Sequence, residues 1–241
     1  MKIETVSDVK VAVMNFSGNV GKTTICNALL IPRIEDAEVF RIETINSDGS
    51  SEAEKISAHE YGSLLRSIEM SDSCIIDVGS SNIEVFISKM FAFKNSHEEI
   101  DYIIIPVTPD SKQIDDTISV YEFLIGKGVD SSKIKVILNR VERNIYSPNK
   151  ELDYFKSSIL AQFFDIDSLP VVYESEYYSA LNLDSRTHLE IINDDRDFKE
   201  LKKSAKSKEE KWNIVKEKTL HRAALSAEDD LAKAFAVLDL G

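Results

Sequence analysis

Residues 9–24 read VKVAVMNFSGNVGKTT, and this stretch decides the fold. Its first half, residues 9–15, is a short apolar run rich in β-branched side chains, which predicts a buried strand. Its second half is rich in glycine, and residues 25–31 after it can form a helix until Pro32 stops that helix. A glycine-rich loop between a strand and a helix is the local structure that binds phosphate groups.

The side chains of this loop fit phosphate chemistry. Glycines let backbone N–H groups turn toward an anion, and the helix that follows adds a partial positive charge at its N-terminus. Lys22 is placed to reach the β- and γ-phosphates of a nucleotide, and the Thr23 hydroxyl is placed to ligate Mg²⁺. The alternative is a glycine turn followed by a chance Gly-Lys-Thr. The predicted nucleotide-binding residues of the loop are Gly18, Asn19, Val20, Gly21, Lys22, Thr23 and Thr24.

The rest of the chain alternates between strand and helix patterns. Five further apolar runs predict strands, at residues 37–43, 73–78, 101–107, 133–138 and 170–173. Helical patterns fall between them, at residues 52–70, 83–93, 110–126 and 149–164. Strands and helices that alternate at spacings of roughly 30 residues are typical of βαβ units. The predicted fold class is therefore α/β, a P-loop NTPase with a mainly parallel twisted sheet covered by helices on both faces, plus a helical C-terminal tail.

Composition narrows the class of protein. The chain has 241 residues and a net charge of −13, which excludes a broadly basic nucleic-acid binder. Hydrophobic residues make up 43% of it, enough for a sizeable core. Its apolar runs are far shorter than the roughly 18 residues that span a bilayer, and its polar start is unlike a secretory signal. We therefore expect a cytoplasmic protein with no membrane span.

The C-terminal part differs in charge. Residues 196–222 contain ten lysine or arginine residues and only five acidic ones. Four lysines have the spacing of one helix face: Lys199, Lys202, Lys203 and Lys206. This face predicts a weak contact with a DNA backbone or an acidic partner, and the alternative is a solvated helix surface. Leu231, Phe235 and Leu238 predict a last helix docked on the core. We therefore divide the chain into a nucleotide-binding domain, residues 1–195, and a locally basic helical extension packed on it, residues 196–241.

The glycine loop departs from the common phosphate-binding motif, because Phe16 stands where that motif has its first glycine. It fits a deviant form better, Lys-Gly-Gly-x-Gly-Lys-Ser/Thr. In that form Ser17 replaces the first lysine and Asn19 replaces the second glycine. The matching positions are Gly18, Gly21, Lys22 and Thr23.

On these residues the sequence resembles the ParA/MinD family of deviant Walker A ATPases, over about residues 9–180. More narrowly, the segments NFSGNVGKTT, LLIPRI and RIETINSD resemble the StbB-type plasmid stability proteins. The resemblance implies an ATP- and Mg²⁺-dependent homodimer that positions DNA or protein cargo in bacteria, with a DNA-binding adaptor protein of the same plasmid system that stimulates turnover. In the family the first lysine reaches the nucleotide of the other subunit. Ser17 has no charge, so we expect slow hydrolysis.

Two carboxylates are candidates for the reaction itself. Asp77 ends an apolar strand and precedes a glycine, a place where the resemblance implies a carboxylate that holds Mg²⁺. The alternative is an acid that caps the following turn. The family has a second site, Asp-x-Asp, where Glu43 matches the first acid but Ile45 stands in place of the second. Asp48 is the candidate that could replace it, with Asn46 as an alternative. The predicted catalytic residues are Lys22, Asp77 and Asp48, and the predicted metal ligands are Thr23 and Asp77.

Asn139 ends the fifth predicted strand, where the resemblance implies an asparagine that binds the nucleobase. The run Asn139–Glu142 also faintly resembles the guanine-reading pattern Asn-Lys-x-Asp, so GTP remains an alternative to ATP.

Three functions stay open: a ParA-like nucleotide switch, a module that binds nucleotide without hydrolysing it, and a metabolic P-loop ligase or kinase.

Overall fold

In the part of the chain that the structure describes, seven strands form one sheet in which every neighbouring pair is parallel. The computed structural model describes residues 3–43, 54–56, 60–143 and 153–241, with the backbone alone for 54–56. The strands are β1 (Lys10–Val13), β2 (Glu38–Ile42), β3 (Glu54–Ile56), β4 (Cys74–Val78), β5 (Tyr102–Val107), β6 (Ile134–Val141) and β7 (Val171–Tyr173). Their order across the sheet is β3-β2-β4-β1-β5-β6-β7.

Helices follow most of the strands. They are α1 (Lys22–Thr24) with a π-helical turn (Ile25–Leu30), α2 (Tyr61–Met70), α3 (Ile83–Ala92), α4 (Ser111–Gly126), α5 (Asp153–Ser157), α6 (Leu160–Phe163), α7 (Glu176–Leu181), α8 (His188–Ile192), α9 (Phe198–Ser204) and α10 (Lys208–Leu238). Among the helices of the described ranges, none has both the length and the apolar character required to cross a membrane.

Helices cover both faces of the sheet. Successive strand residues point to opposite faces, so each strand packs against both helical layers. In β1, Ala12 packs in the cluster that contains α2, α3 and α4, whereas Val11 and Val13 pack in the cluster that contains the π-helical turn and α10. The five residues of β4 are all buried, as expected for a strand between two helical layers. The predicted α/β fold class is confirmed.

The strand order places the glycine loop at the centre of the sheet. Strand β1 lies between β4 and β5, so the chain moves to one side of β1 first and to the other side later. In open α/β sheets, ligands bind outside the carboxyl ends of the strands at this switch point. The loop of residues 14–21 leaves the carboxyl end of β1 at this position.

One predicted helix begins too early. The pattern at residues 52–70 predicts a single helix, but the structure has strand β3 at Glu54–Ile56 and a helix only from Tyr61. Strand β3 adds to the edge of the sheet by pairing with β2. The sequence Glu-Lys-Ile gives no strong strand signal by itself, so tertiary pairing decides its conformation here.

A second predicted helix, residues 149–164, is divided in the structure. Helix α5 ends at Ser157 and α6 begins at Leu160, while residues 149–152 lie outside the described ranges. The Ser158 amide and hydroxyl both donate to the Phe155 carbonyl, at 3.0 Å and 2.7 Å. This local bonding of a serine to the preceding turn competes with helix continuation.

The predicted lysine face is also corrected. Helix α9 ends at Ser204, whose hydroxyl donates to the carbonyls of Glu200 and Leu201. Lys206 therefore lies in the turn before α10, and its backbone amide donates to Glu210 Oε2 at 2.6 Å. Lys203 forms an ion pair with Glu200 at 2.6 Å.

Helix α10 packs along the sheet through its C-terminal half. Leu231, Phe235 and Leu238 are buried in the same cluster as β1 residues, on the face that their spacing predicts. Contacts cross residue 195, since α10 packs against α7 and α8 as well as α9. The proposed division of the chain at that residue stays a prediction.

A buried ion pair fixes α10 to the chain that follows the glycine loop. Arg33 and Glu228 are each 1% exposed, and their charged groups are 2.5 Å apart. Arg33 also donates to the carbonyls of Ala28 and Leu29 at the end of the π-helical turn, and His188 Nε2 lies 2.8 Å from Glu228 Oε2. Burial raises the pKa of Glu228, but the His188 hydrogen bond and the Arg33 charge lower it overall.

Arg33→Met is expected to destabilise the protein by about 3–5 kcal/mol, because it leaves the Glu228 charge buried without its main partner. The measurement is urea unfolding. The control is the double variant Arg33→Met with Glu228→Met, which should lose less than the single variant because no buried charge remains uncompensated. A loss of under about 1 kcal/mol in the single variant would contradict this role.

Candidate functional site

The backbone of the glycine loop turns through two left-handed residues. Asn19 has φ 58° and Gly21 has φ 85°, a region that costs energy for residues other than glycine. At Gly21 space is also limiting, because a Cβ atom there would lie 2.2 Å from Nδ2 of Asn139. Glycine is therefore required at 21 by both conformation and packing.

Lys22 folds back over the loop that precedes it. Its ammonium group donates to the carbonyls of Asn15 and Ser17, at 3.0 Å and 2.8 Å. The residue is 8% exposed. Burial lowers the pKa of Lys22, and the nearby charge of Asp77 opposes this effect. The ammonium group thus lies inside the curve of the loop, where the sequence predicts that the phosphates of a nucleotide bind.

The two predicted metal ligands are in direct contact. The Thr23 hydroxyl donates to Asp77 Oδ2 at 2.8 Å, which joins α1 to the carboxyl end of β4. Burial raises the pKa of Asp77, while the Thr23 hydrogen bond and the charges of Arg41 and Lys22 oppose the rise. After Asp77 the chain passes close to β2: a Cβ atom on Gly79 would lie 2.9 Å from the Ile42 carbonyl oxygen.

This pair fits Mg²⁺. The ion prefers oxygen ligands and often takes only one or two from the protein, together with water and the phosphates of the substrate. Thr23 and Asp77 supply a hydroxyl and a carboxylate oxygen from two rigid elements. No group of three or more His, Cys, Asp or Glu side chains that could hold a metal exists in the described ranges. Two oxygen ligands are the number that Mg²⁺ often takes from a protein.

The position of the expected lysine is occupied by a short side chain bound within its own chain. The Ser17 hydroxyl donates to Asp116 Oδ2 of α4 at 2.6 Å, and the Ser17 amide donates to Asn15 Oδ1 at 2.9 Å. Asn15 in turn donates to the Pro106 carbonyl and the Thr117 hydroxyl, both at 2.8 Å. The start of the loop is thereby fixed to β5 and α4.

The end of β6 contacts the other side of the loop. The Asn139 amide donates to the Val20 carbonyl at 2.7 Å, and Asn139 is 2% exposed. Arg140 Nη1 donates to the Asn19 carbonyl at 3.0 Å. The structure therefore places Asn139 against the loop backbone. Its predicted contact with a nucleobase stays a prediction.

Several contacts were not predicted from the sequence. Asn15, Asp116 and Arg140 all bind the loop, yet none belongs to the Lys-Gly-Gly-x-Gly-Lys-Ser/Thr motif. The sequence signal for Arg140 is its place after Asn139, in the run that faintly resembles Asn-Lys-x-Asp. The candidate Asp48, with Ile45 and Asn46, lies outside the described residues.

No protein-family model matches the sequence, and no curated protein matches it. Among solved structures, the chain is similar to MinD from Aquifex aeolicus, with 14% identity and a TM-score of 0.48, over 95% of this chain and 96% of that one. It is also similar to the cell division ATPase MinD of Pyrococcus furiosus, with 13% identity and a TM-score of 0.47, over 88% and 98%. Apo McdA of Cyanothece gives 19% identity and a TM-score of 0.47, over 71% and 88%. The function is argued below from the site itself.

Lys22→Ala is expected to abolish tight binding of ATP with Mg²⁺ while the protein stays folded. Losing one partner of a desolvated charge contact typically costs about 2–5 kcal/mol, or roughly 30- to 4,000-fold in affinity. Isothermal titration measures the affinity, and thermal unfolding measures the fold. The control is Lys94→Ala at an exposed lysine. Binding within about threefold of wild type would show that the loop does not hold the phosphates.

Proposed function

We propose that this chain is a nucleotide-dependent switch that binds ATP together with Mg²⁺ and hydrolyses ATP slowly. The observation that carries the proposal is the 2.8 Å contact between the Thr23 hydroxyl and Asp77. It joins a hydroxyl and a carboxylate beside the Lys22 ammonium group, at the carboxyl edge of a parallel sheet. This combination of a cation, two oxygen ligands and a glycine loop suits a triphosphate.

In this proposal the loop from Gly18 to Thr24 surrounds the β- and γ-phosphates, and Lys22 neutralises part of their charge. Thr23 and Asp77 would hold Mg²⁺, which when bound neutralises phosphate oxygens and orients them. Lys22 must exchange its contacts with the Asn15 and Ser17 carbonyls for phosphate oxygens, over a short distance within the same loop.

The test is a titration of wild type and Asp77→Asn with ATP and with GTP, each with Mg²⁺ and with EDTA. Wild type should bind ATP more tightly with Mg²⁺. Asp77→Asn should lose most of this gain, because asparagine can still bond to Thr23 but offers no charge. We expect a loss of about 1.5–3 kcal/mol, or roughly 10- to 150-fold.

The matched control for that titration is Asp72→Asn, an exposed aspartate on the approach to β4. It should bind like wild type. A wild type that binds neither nucleotide would overturn the proposed function. A preference for GTP over ATP would support the guanine-reading alternative for residues 139–142.

Slow hydrolysis rests on the Ser17 contact. In ParA/MinD-type proteins the lysine at this position reaches the nucleotide of the other subunit. The Ser17 hydroxyl instead donates to Asp116 of its own chain. A cation supplied in trans to a phosphoryl transition state is worth roughly 10³–10⁵ in rate. The same contact supports a second candidate, a module in which nucleotide controls an interaction without turnover.

Ser17→Lys alone is expected to change turnover little, because the new ammonium group would pair with Asp116. Ser17→Lys combined with Asp116→Asn removes that partner, and turnover should rise by at least about tenfold over wild type. Asp116→Asn alone is the control and should stay slow. A phosphate-release assay measures the rate. Wild-type turnover of about 10 s⁻¹, ordinary for an enzyme, would contradict the argument.

The cellular role proposed here is plasmid stability, partition or positioning in the bacterial cytoplasm. It rests on the resemblance of NFSGNVGKTT and RIETINSD to plasmid stability proteins. In this role the chain forms a nucleotide-dependent homodimer and acts with a DNA-binding adaptor protein. The locally basic segment around α9 is the part of the chain that suits contact with DNA or with an acidic partner surface.

The DNA contact predicts weak binding that depends strongly on salt. Lys199, Lys202, Lys203 and Lys206 are all exposed, although Lys203 is paired with Glu200 and Lys206 lies outside α9. Neutralising two to four phosphates gives a log–log salt slope of about −2 to −4. Changing all four to alanine should remove duplex binding measured with ATP by fluorescence anisotropy.

The control for this series replaces four lysines elsewhere: Lys89, Lys94, Lys127 and Lys233. That variant has the same net charge change and should keep both the affinity and the slope. Equal affinity and slope in wild type and the α9 variant would leave these lysines as a solvated surface. Loss of adaptor binding with unchanged DNA binding would assign them to the protein partner instead.

A further inference from the structure

Two residues at the end of β6 bind consecutive carbonyl groups of the glycine loop. Arg140 Nη1 donates to the Asn19 carbonyl at 3.0 Å, and Asn139 Nδ2 donates to the Val20 carbonyl at 2.7 Å. Both contacts span about half of the chain. They join the carboxyl edge of β6 to the loop that leaves β1.

These contacts determine which way the loop amides point. A trans peptide is planar, and its C=O and N–H groups point in opposite directions. The described chain has no cis peptide bond. Carbonyls of Asn19 and Val20 that point toward β6 therefore turn the amides of Val20 and Gly21 away from β6. Within the described ranges, these two amides donate no hydrogen bond.

Arg140 has a backbone conformation that an arginine adopts at a cost. Its φ is 55°, in the left-handed region, and the register of β6 with β7 shifts between Asn139 and Val141. Such a bulge re-aims a side chain and is often found next to a functional site. Here it turns the Arg140 guanidinium onto the loop. The conformation would be easier for glycine, so the arginine is not explained by local backbone preference.

We infer that Arg140 is a positioning residue for phosphate binding. It holds the Asn19 carbonyl outward, so that the Val20 amide points to the phosphates before the nucleotide arrives. Asn139 does the same for the Gly21 amide through the Val20 carbonyl. The inference rests on the proposed function, because it presumes that the loop binds a nucleotide. Preorganised donors add affinity because binding does not have to order them, so less conformational entropy is lost.

The experiment separates this role from a structural one through Arg140→Gly. Glycine suits φ 55° and removes the guanidinium, so the unfolding temperature should be unchanged or higher while affinity for ATP with Mg²⁺ falls about tenfold. Arg140→Lys keeps a charged donor and should restore most of the affinity. The control is Asp36→Gly. Asp36 has φ 50° and lies before the amino end of β2, away from the glycine loop, so this variant should leave affinity unchanged.

The second readout is the NMR amide signals of Val20 and Gly21, recorded in nucleotide-free protein. In ¹⁵N-labelled Arg140→Gly they should shift or broaden, whereas a purely electrostatic role would leave them in place. Equal ATP affinity in wild type and Arg140→Gly overturns the inference, and so does a loss of affinity with unchanged signals. A wild type that binds no nucleotide defeats the proposed function instead.

Discussion

The site depends on where the carbonyl groups of the glycine loop point. Those of Asn15 and Ser17 accept from Lys22, and those of Asn19 and Val20 accept from β6. Because C=O and N–H oppose each other in a trans peptide, fixing the carbonyls also fixes the amides. Some of these donors come from distant parts of the sequence. The glycine loop therefore depends on the assembled sheet for its shape.

The strand order explains why these groups meet. Strand β1 lies between β4 and β5, with β6 next to β5, so the carboxyl ends of these strands surround one loop. Asp77 comes from β4, Asp116 from the helix after β5, and Asn139 from β6. Each of them touches the loop or its helix through a single hydrogen bond. A switch point of this kind gathers side chains that no local motif relates.

Sequence patterns predict the parts that local physics determines. A continuous apolar run such as residues 101–107 has few alternatives to a buried strand, and a glycine-rich stretch directly after a strand has few alternatives to a tight turn. Strand β3 was not predicted, since pairing with β2 and not its own composition decides its conformation. Arg140 was not predicted either. Its importance depends on a bulge in β6 and on a loop far away in sequence.

Two ion pairs link the C-terminal helix to the chain around the site. Arg33, just beyond the π-helical turn that continues α1, forms a buried ion pair with Glu228 of α10. Arg143, two residues after β6 ends, pairs with Asp230, two residues beyond Glu228 in α10, and its guanidinium lies over the Tyr173 ring of β7. Helix α10 is therefore bound both to the chain that follows the glycine loop and to the chain that follows β6. These two arginines connect the surroundings of the glycine loop to α10, which continues from its buried C-terminal half to an exposed N-terminal half beside α9.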